Sequence, residues 1–256
     1  MLETPLEQFQ IITLYPINYI NLDFSFNNIL LMNLVTLLFF RKIIQLFSSK
    51  KNYLNNTTFF LIPNSWQVFV ESTHDTVLQL LFDNVNMKGE KYFPYFSMIF
   101  LFILLSNLSG LIPYTFTITS HVIITFTLSF SIFIGINIIG VKKHGFNILS
   151  LIIPANSTFT VALILVPIEF LSYLAKPISL GVRLFINLMS GHTLLKVILG
   201  FSWSILLLEN TLFLVHLVPL LILVILMFLE LAVAFIQAYV FTILICINLN
   251  DGINLH

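Results

Sequence analysis

Charge is what this chain has least of. Eleven basic and eleven acidic residues make up 9% of its 256 positions, against about 25% in ordinary soluble domains. So few charges cannot cover a soluble core with polar surface. With 58% hydrophobic residues and a mean hydropathy of +1.01, the chain reads as an integral membrane protein. The signs balance to a net charge of zero, which argues against a nucleic-acid or polyanion partner. Cysteine is nearly missing. Cys246 stands alone in ILICIN, so an internal disulfide and a cysteine metal site are excluded, and it reads as a small core residue. Basic residues are missing from MLETPLEQFQ, which carries Glu3 and Glu7 instead. That is neither a secretory signal nor an Arg-rich transit peptide, so insertion without a cleaved address is expected, as in a bacterial inner membrane or an organelle. No GxxxxGK[ST] loop occurs, so no nucleotide chemistry is expected on this chain. His74, His121, His144 and His256 flank loops or the surface, and no pair has metal-ligand spacing on a common face. Neither a metal nor a cofactor is expected.

What is present is long apolar sequence. A first span is expected over 28–47, with Arg41 and Lys42 snorkelling to the interface. Over 66–86, Val68, Val70, Val77, Leu80 and Leu81 interleave with Glu71, His74, Asp75 and Asp83. That pattern is too polar to cross a membrane and predicts an amphipathic helix along its surface. Segments 93–113 and 121–141 each approach the roughly 20 residues a span needs. Basic pairs fall at Lys50/Lys51, Lys88/Lys91 and Lys142/Lys143. The positive-inside rule then puts those loops inside, with the amino terminus and the 114–120 link outside.

Two longer apolar stretches follow, 155–200 and 203–249, parted by a weak break at Gly200–Ser204. A 45-residue helix would measure nearly 70 Å at about 1.5 Å per residue, twice the hydrocarbon thickness. Each stretch is therefore either two ordinary spans with an apolar turn or one strongly tilted helix. Pro167, Pro177 and Pro219 allow bends. In the first stretch Glu169, Ser172 or Tyr173, Lys176, Ser179, Arg183, Asn187 and Ser190 recur every three or four residues, along one helical face. In the second, Glu230 and Gln237 stand two turns apart near Ala232, Ala234 and Ala238, residues small enough for close helix approach. Ser172 and Ser190 read most simply as helix–helix hydrogen-bonding groups, Lys176 equally as an interfacial or channel residue, and His216 as a core histidine. Arg183, Glu169 and Glu230 resist such a reading. A permanent cation at membrane depth costs about 2.5–3.5 kcal/mol on insertion scales, and buried ionisable groups tend to mark ion or proton paths. Glutamate and histidine can exchange protons; arginine cannot. A proton path with a fixed electrostatic barrier fits that combination.

The run PIEFLSYLAKPISLGVRLFINLMSGH resembles the signature of subunit a of the rotary ATP synthase, and LELAVAFIQAYVFTILICINLND resembles its last helix. LEQF and FPYFSMIFLFILLSNLSGLIPYTFTITSH follow the same family order, so the resemblance covers essentially the whole chain. It implies an all-α polytopic membrane protein with about three ordinary transmembrane helices, one amphipathic surface helix and a C-terminal hairpin of two long, strongly tilted helices. It implies that Arg183 faces a ring of c subunits and prevents direct leak between two offset half-channels. Glu169 matches the inner half-channel; His192, Glu230 and Gln237 match the outer one; Asn187 and Ser179 support the ring interface. The implied partners are the c-subunit ring, the peripheral stalk and other membrane subunits of the synthase, protons and the lipid bilayer. Bacterial members tend to carry an acid where this chain has His192 and a histidine where it has Glu230. The exchanged pair resembles the mitochondrial branch, which implies the mitochondrial inner membrane ahead of a bacterial one. The rival reading, a proton-coupled secondary transporter, predicts paired broken helices in two related halves; neither is seen in the sequence.

Overall fold

The computed structural model describes residues 7–19, 22–23, 25–52, 65–112, 116–145, 159–206 and 213–254. Among them the chain is almost entirely helical, in the order α1 (Asn28–Asn52), α2 (Ser65–Val85), α3 (Phe93–Gly110), α4 (Val122–His144), α5 (Phe159–Leu206) and α6 (Phe213–Ile253). Among the described residues, strands are confined to the amino-terminal region, where Thr13–Tyr15 pairs antiparallel with Phe26–Asn27 and Asn18–Tyr19 with Leu22–Asp23. Asn28 ties this region to α1. Its carboxamide oxygen accepts from the Ile29 and Ile12 amides, and its nitrogen donates to the Gln10 carbonyl. Among the described residues, four helical stretches are long and apolar enough to cross a membrane: Gly89–Gly110, Val122–His144, Val161–Leu206 and Leu217–Ile253. The protein is an all-α polytopic membrane protein. Among the described residues α1 contributes a shorter apolar stretch, Asn28–Phe39, and its sequence carries Phe40, Ile43, Ile44, Leu46 and Phe47 on around Arg41 and Lys42.

α2 buries Val70, Thr73, Val77, Leu80, Leu81 and Val85, spaced at three and four residues, and leaves Glu71, Asp75 and Asp83 exposed. This is the amphipathic pattern expected from its sequence. α3 stops at Gly110, ahead of Pro113 and sooner than expected, because the residues before a proline resist helical geometry. α4 runs past its expected end. Lys142, Lys143 and His144 occupy the last turn, complementing the helix dipole, and Gly145 takes the left-handed conformation (φ 60°) that closes a helix.

α5 and α6 are each one continuous helix, of 48 and 41 residues, rather than pairs of ordinary spans. α5 passes straight through Gly200 to Leu206. One glycine costs only about 1 kcal/mol in a helix, whereas an unpaired backbone in lipid costs several, so the helix wins. The residues between the two helices, including Glu209 and Asn210, lie outside the described set. Much of both helices faces outward: Leu171 is 66% exposed and Phe228 70%. In lipid, such faces need no water-excluding cover.

The chain divides into two compact units. One comprises Met1–Leu61, Leu101–His121 and Phe185–Gln237, and includes Ile103, Leu104, Ile118, Leu188 and Ala234 among its buried side chains. The other comprises Ile62–Phe100, Val122–Leu184 and Ala238–His256, with Phe96, Val77, Leu184, Phe241 and Ile245 buried. Within this second unit α4 and α5 approach closely at Gly181. A Cβ there would lie 2.8 Å from the Ser129 hydroxyl oxygen and 3.3 Å from the Thr125 carbonyl oxygen.

Candidate functional site

Polar side chains from three helices of the first unit converge on one cavity of about 250 Å³. Asn107 comes from α3, Asn187 and His192 from α5, and Glu230 and Gln237 from α6. The helical period explains why α6 supplies the last two: seven residues are two turns, so both face the same way. The Asn187 amide donates to the Gln237 carboxamide oxygen at 2.7 Å, while Gly191, one turn later on α5, meets Glu230, two turns earlier on α6. These two pairings run in opposite senses along the chain, so α5 and α6 are antiparallel here.

Gly191 matters for the carboxylate. A Cβ at this position would stand 2.5 Å from Glu230 Oε1 and 3.1 Å from its carboxyl carbon. Only a residue without a side chain lets the acid occupy that place beside α5. His192 Nε2 points towards Gly110, 3.6 Å from where a Cβ would sit. Ala234 and Ala238 are both buried, in keeping with the close approach their size allows.

The cavity holds more polar demand than its walls satisfy. Both carboxylate oxygens of Glu230, Nε2 of His192 and Oδ1 of Asn107 are buried without a hydrogen-bond partner among the described residues. Asn107 itself is fully buried, and its nitrogen makes only a long bond, 3.5 Å, to the Ala234 carbonyl. Buried polar groups normally find partners. At about 30 Å³ of liquid per molecule, a cavity of this size has room for on the order of eight waters, and the unpartnered polar atoms in its otherwise mostly apolar wall are what water requires. The walls thus present a carboxylate, an imidazole and three amides to a wettable space. That is chemistry for passing protons: the acid and the imidazole give and take them, and the amides orient hydrogen-bonded donors and acceptors without titrating.

A second polar group lies in the other unit. Lys176 Nζ pairs with Asp251 Oδ2 at 2.8 Å, each side chain about a third exposed (37% and 34%). The Tyr173 hydroxyl donates to Asn137 Oδ1, and Lys176 Nζ stands 5.8 Å from the centre of the Tyr173 ring. Lys143 and His144 both donate to the Ile253 carbonyl, gripping the last turn of α6. Glu169 is half-buried, seven residues before Lys176 and on its face of α5. Ser179 and Arg183 are exposed on the same helix. Arg183 makes no ion pair among the described residues, where the Lys176–Asp251 pair is the only one.

Of the residues singled out from sequence, the structure brings Asn187, His192, Glu230 and Gln237 together at the cavity. Glu169, Ser179 and Arg183 do not line it. Lys176, read from sequence as equally an interfacial or a channel residue, pairs with Asp251. His216 has a side chain outside the described set. Sequence reasoning missed Asn107, Gly191 and Asp251. Asn107 had a signal: a lone amide inside the apolar run FLFILLSNLSG has to hydrogen-bond something at depth.

Helical spans with ionisable side chains gathered at one cavity define a polytopic membrane protein with polar groups held between its helices. Its family is equally plain. The family model of the ATP synthase A chain matches residues 29–250, and the chain belongs to that family. It is 48% identical over 256 residues to ATP synthase subunit a of Pylaiella littoralis, covering all of both chains. To the subunit a of Chondrus crispus it is 44% identical over 256 residues, covering 100% of this chain and 98% of that one. To that of Brassica napus it is 47% identical over 260 residues, covering 99% and 97%.

Proposed function

We propose that this chain is the proton-translocating stator subunit of an ATP synthase, without nucleotide chemistry of its own. The observation that carries the reading is the convergence of His192, Glu230, Asn187 and Gln237 on one wettable cavity. In this reading the cavity is the outer half-channel. A proton arrives through water, passes the Glu230 carboxylate and the His192 imidazole, and protonates a carboxylate on the c-subunit ring. The ring carries it through nearly a full turn to a second, inner half-channel bordered by Glu169. Arg183 stands between the two paths. Its guanidinium holds the deprotonated ring carboxylate and denies protons a direct crossing, so flow requires rotation. Ser179 and Asn187 support the ring face.

The same reading assigns the rest of the molecule. The whole chain is one membrane domain, with α1, α3 and α4 as ordinary spans, α2 along the membrane surface, and α5 and α6 as a tilted hairpin beside the ring. The basic loops face inside and the amino terminus outside. Peripheral-stalk and other membrane subunits of the synthase are its further partners. The His192/Glu230 combination favours the mitochondrial inner membrane, with the matrix as the inner side.

The test uses the intact complex in vesicles, with its ATP-synthesising portion stripped off. A potassium-diffusion potential is expected to drive proton uptake with no added substrate, and a ring of c subunits is expected to copurify with the chain. Uptake that depends on a small co-substrate would instead mark a secondary transporter. A finer check concerns Gly191→Ala. The added methyl collides with the Glu230 carboxylate, which must swing away. Since misplacing a reacting group by about 1 Å can cost 10²-fold, a loss of about ten-fold in proton flux is expected with assembly intact. Full flux in that variant would show that the carboxylate's place beside Gly191 is immaterial.

A further inference from the structure

The side of α1 that bears Leu38 is unoccupied by the proton path and has an unusual composition. A groove of about 380 Å³ there is lined by Val35, Leu38, Phe39, Arg41 and Lys42. Positions 35, 38, 39 and 42 follow the i, i+3, i+4, i+7 pattern, so three apolar side chains and one cation form a single stripe along the helix. The apolar members are open: Val35 is 37% exposed, Leu38 56% and Phe39 62%, whereas the buried position of this stretch is Thr36, on another side. Arg41 and Lys42 are exposed as well, and neither makes an ion pair among the described residues. In the sequence the run Leu34–Phe40, interrupted only by Thr36, leads directly into them.

We propose that this groove binds an anionic phospholipid, with an acyl chain along Val35, Leu38 and Phe39 and its phosphate on Arg41 and Lys42. The stripe has the polarity sequence of such a molecule, hydrocarbon and then negative charge. The two cations offer complementary modes. An arginine fork grips phosphate oxygens in pairs, and a lysine adds a mobile point charge on a stem that itself packs against hydrocarbon. A zwitterionic lipid fills the apolar part equally well but brings no net charge to the basic end, so the site selects by headgroup. This inference rests on the membrane fold and is independent of the proton reading.

The test uses the intact complex in vesicles containing photo-activatable acyl-chain probes, phosphatidylglycerol in one set and phosphatidylcholine in the other. Adducts are mapped by peptide mass spectrometry. Residues 35–42 are expected to label more strongly with phosphatidylglycerol. At about 1 kcal/mol per basic residue near an anionic surface, two cations correspond to a preference of roughly 30-fold. In the doubly substituted Arg41→Gln, Lys42→Gln chain that preference falls to the phosphatidylcholine level, while labelling of α4 by either lipid stays constant. A variant-free check is salt: raising ionic strength from about 0.05 to 0.5 M shortens the screening length several-fold and is expected to cut the preference in the unaltered chain. Millimolar inorganic phosphate does not compete, because it lacks the chain. Equal labelling by both lipids overturns the proposal. So does a photo-crosslinker placed at Leu38 that captures a polypeptide, which would make the groove a subunit contact.

Discussion

Substituting Arg183 with glutamine is expected to abolish proton-driven ATP synthesis while the complex still assembles. The expectation follows from where the charge stands. Its guanidinium is exposed on α5, flanked by the outward-facing Ile178 and Ile186, and no carboxylate among the described residues pairs with it. A permanent cation on an apolar helix surface at membrane depth is costly without a counter-charge, and none of the described residues supplies one. In the proposed function the counter-charge is the ring carboxylate, attracted strongly because the surrounding dielectric is low. Glutamine keeps most of the volume and a hydrogen-bonding tip, and the position is not buried, so folding is barely affected. The barrier, however, is gone. A proton crossing 100 mV yields about 2.3 kcal/mol, so several must be coupled for each ATP, and a direct leak forfeits them all. Two measurements check this: copurification of the ring with the Arg183→Gln chain, expected unchanged, and ATP synthesis in energised vesicles, expected at background. Normal synthesis in an assembled variant would remove Arg183 from the mechanism. Arg183→Lys is expected to retain little activity, because a point charge on a flexible stem does not reproduce the planar fork.

Much of this was legible in one sequence because membranes write in period and composition. The polar stripe from Glu169 to Ser190 and the seven-residue spacing of Glu230 and Gln237 are consequences of helix geometry alone. What stayed hidden depends on register between helices. Asn107 and Ala234 are 127 residues apart, and Lys176 and Asp251 are 75 apart. No local pattern specifies such pairings, because lipid-embedded helices are aligned by small-residue packing and hydrogen bonds rather than by an apolar face seeking a core. Gly191 is the clearest case. Read locally it is a mild helix breaker, while its structural meaning comes from a carboxylate on another helix. Gly200 misled for the complementary reason: a break in the apolar pattern became no break in the helix, since backbone in lipid has no better place for its hydrogen bonds. The acid–imidazole pair at the cavity could be placed only through resemblance to the family, not through spacing.

Glu230→Gln is expected to slow proton uptake through the complex by about 10²-fold, the lower end of what removing a positioned acid–base group costs. The amide matches the carboxylate in size, so it fits the same space beside Gly191 and leaves the cavity's shape as it was. It can donate and accept hydrogen bonds to water. What it cannot do is take a proton and release it. Both Glu230 oxygens are buried and make no hydrogen bond or ion pair among the described residues, so no fixed interaction with those residues is lost on neutralisation. A purely architectural acid predicts the opposite result, reduced assembly with flux per assembled complex unchanged. Measuring both quantities in the same vesicles separates the two. Glu230→Asp supplies the companion measurement. It keeps the proton chemistry but withdraws the carboxylate by one methylene from its seat against α5, so its flux is expected to lie between those of the unaltered chain and the glutamine variant. Flux in Glu230→Gln equal to that of the unaltered chain would mean that protons cross this cavity by water alone, and that the acid is there for something else.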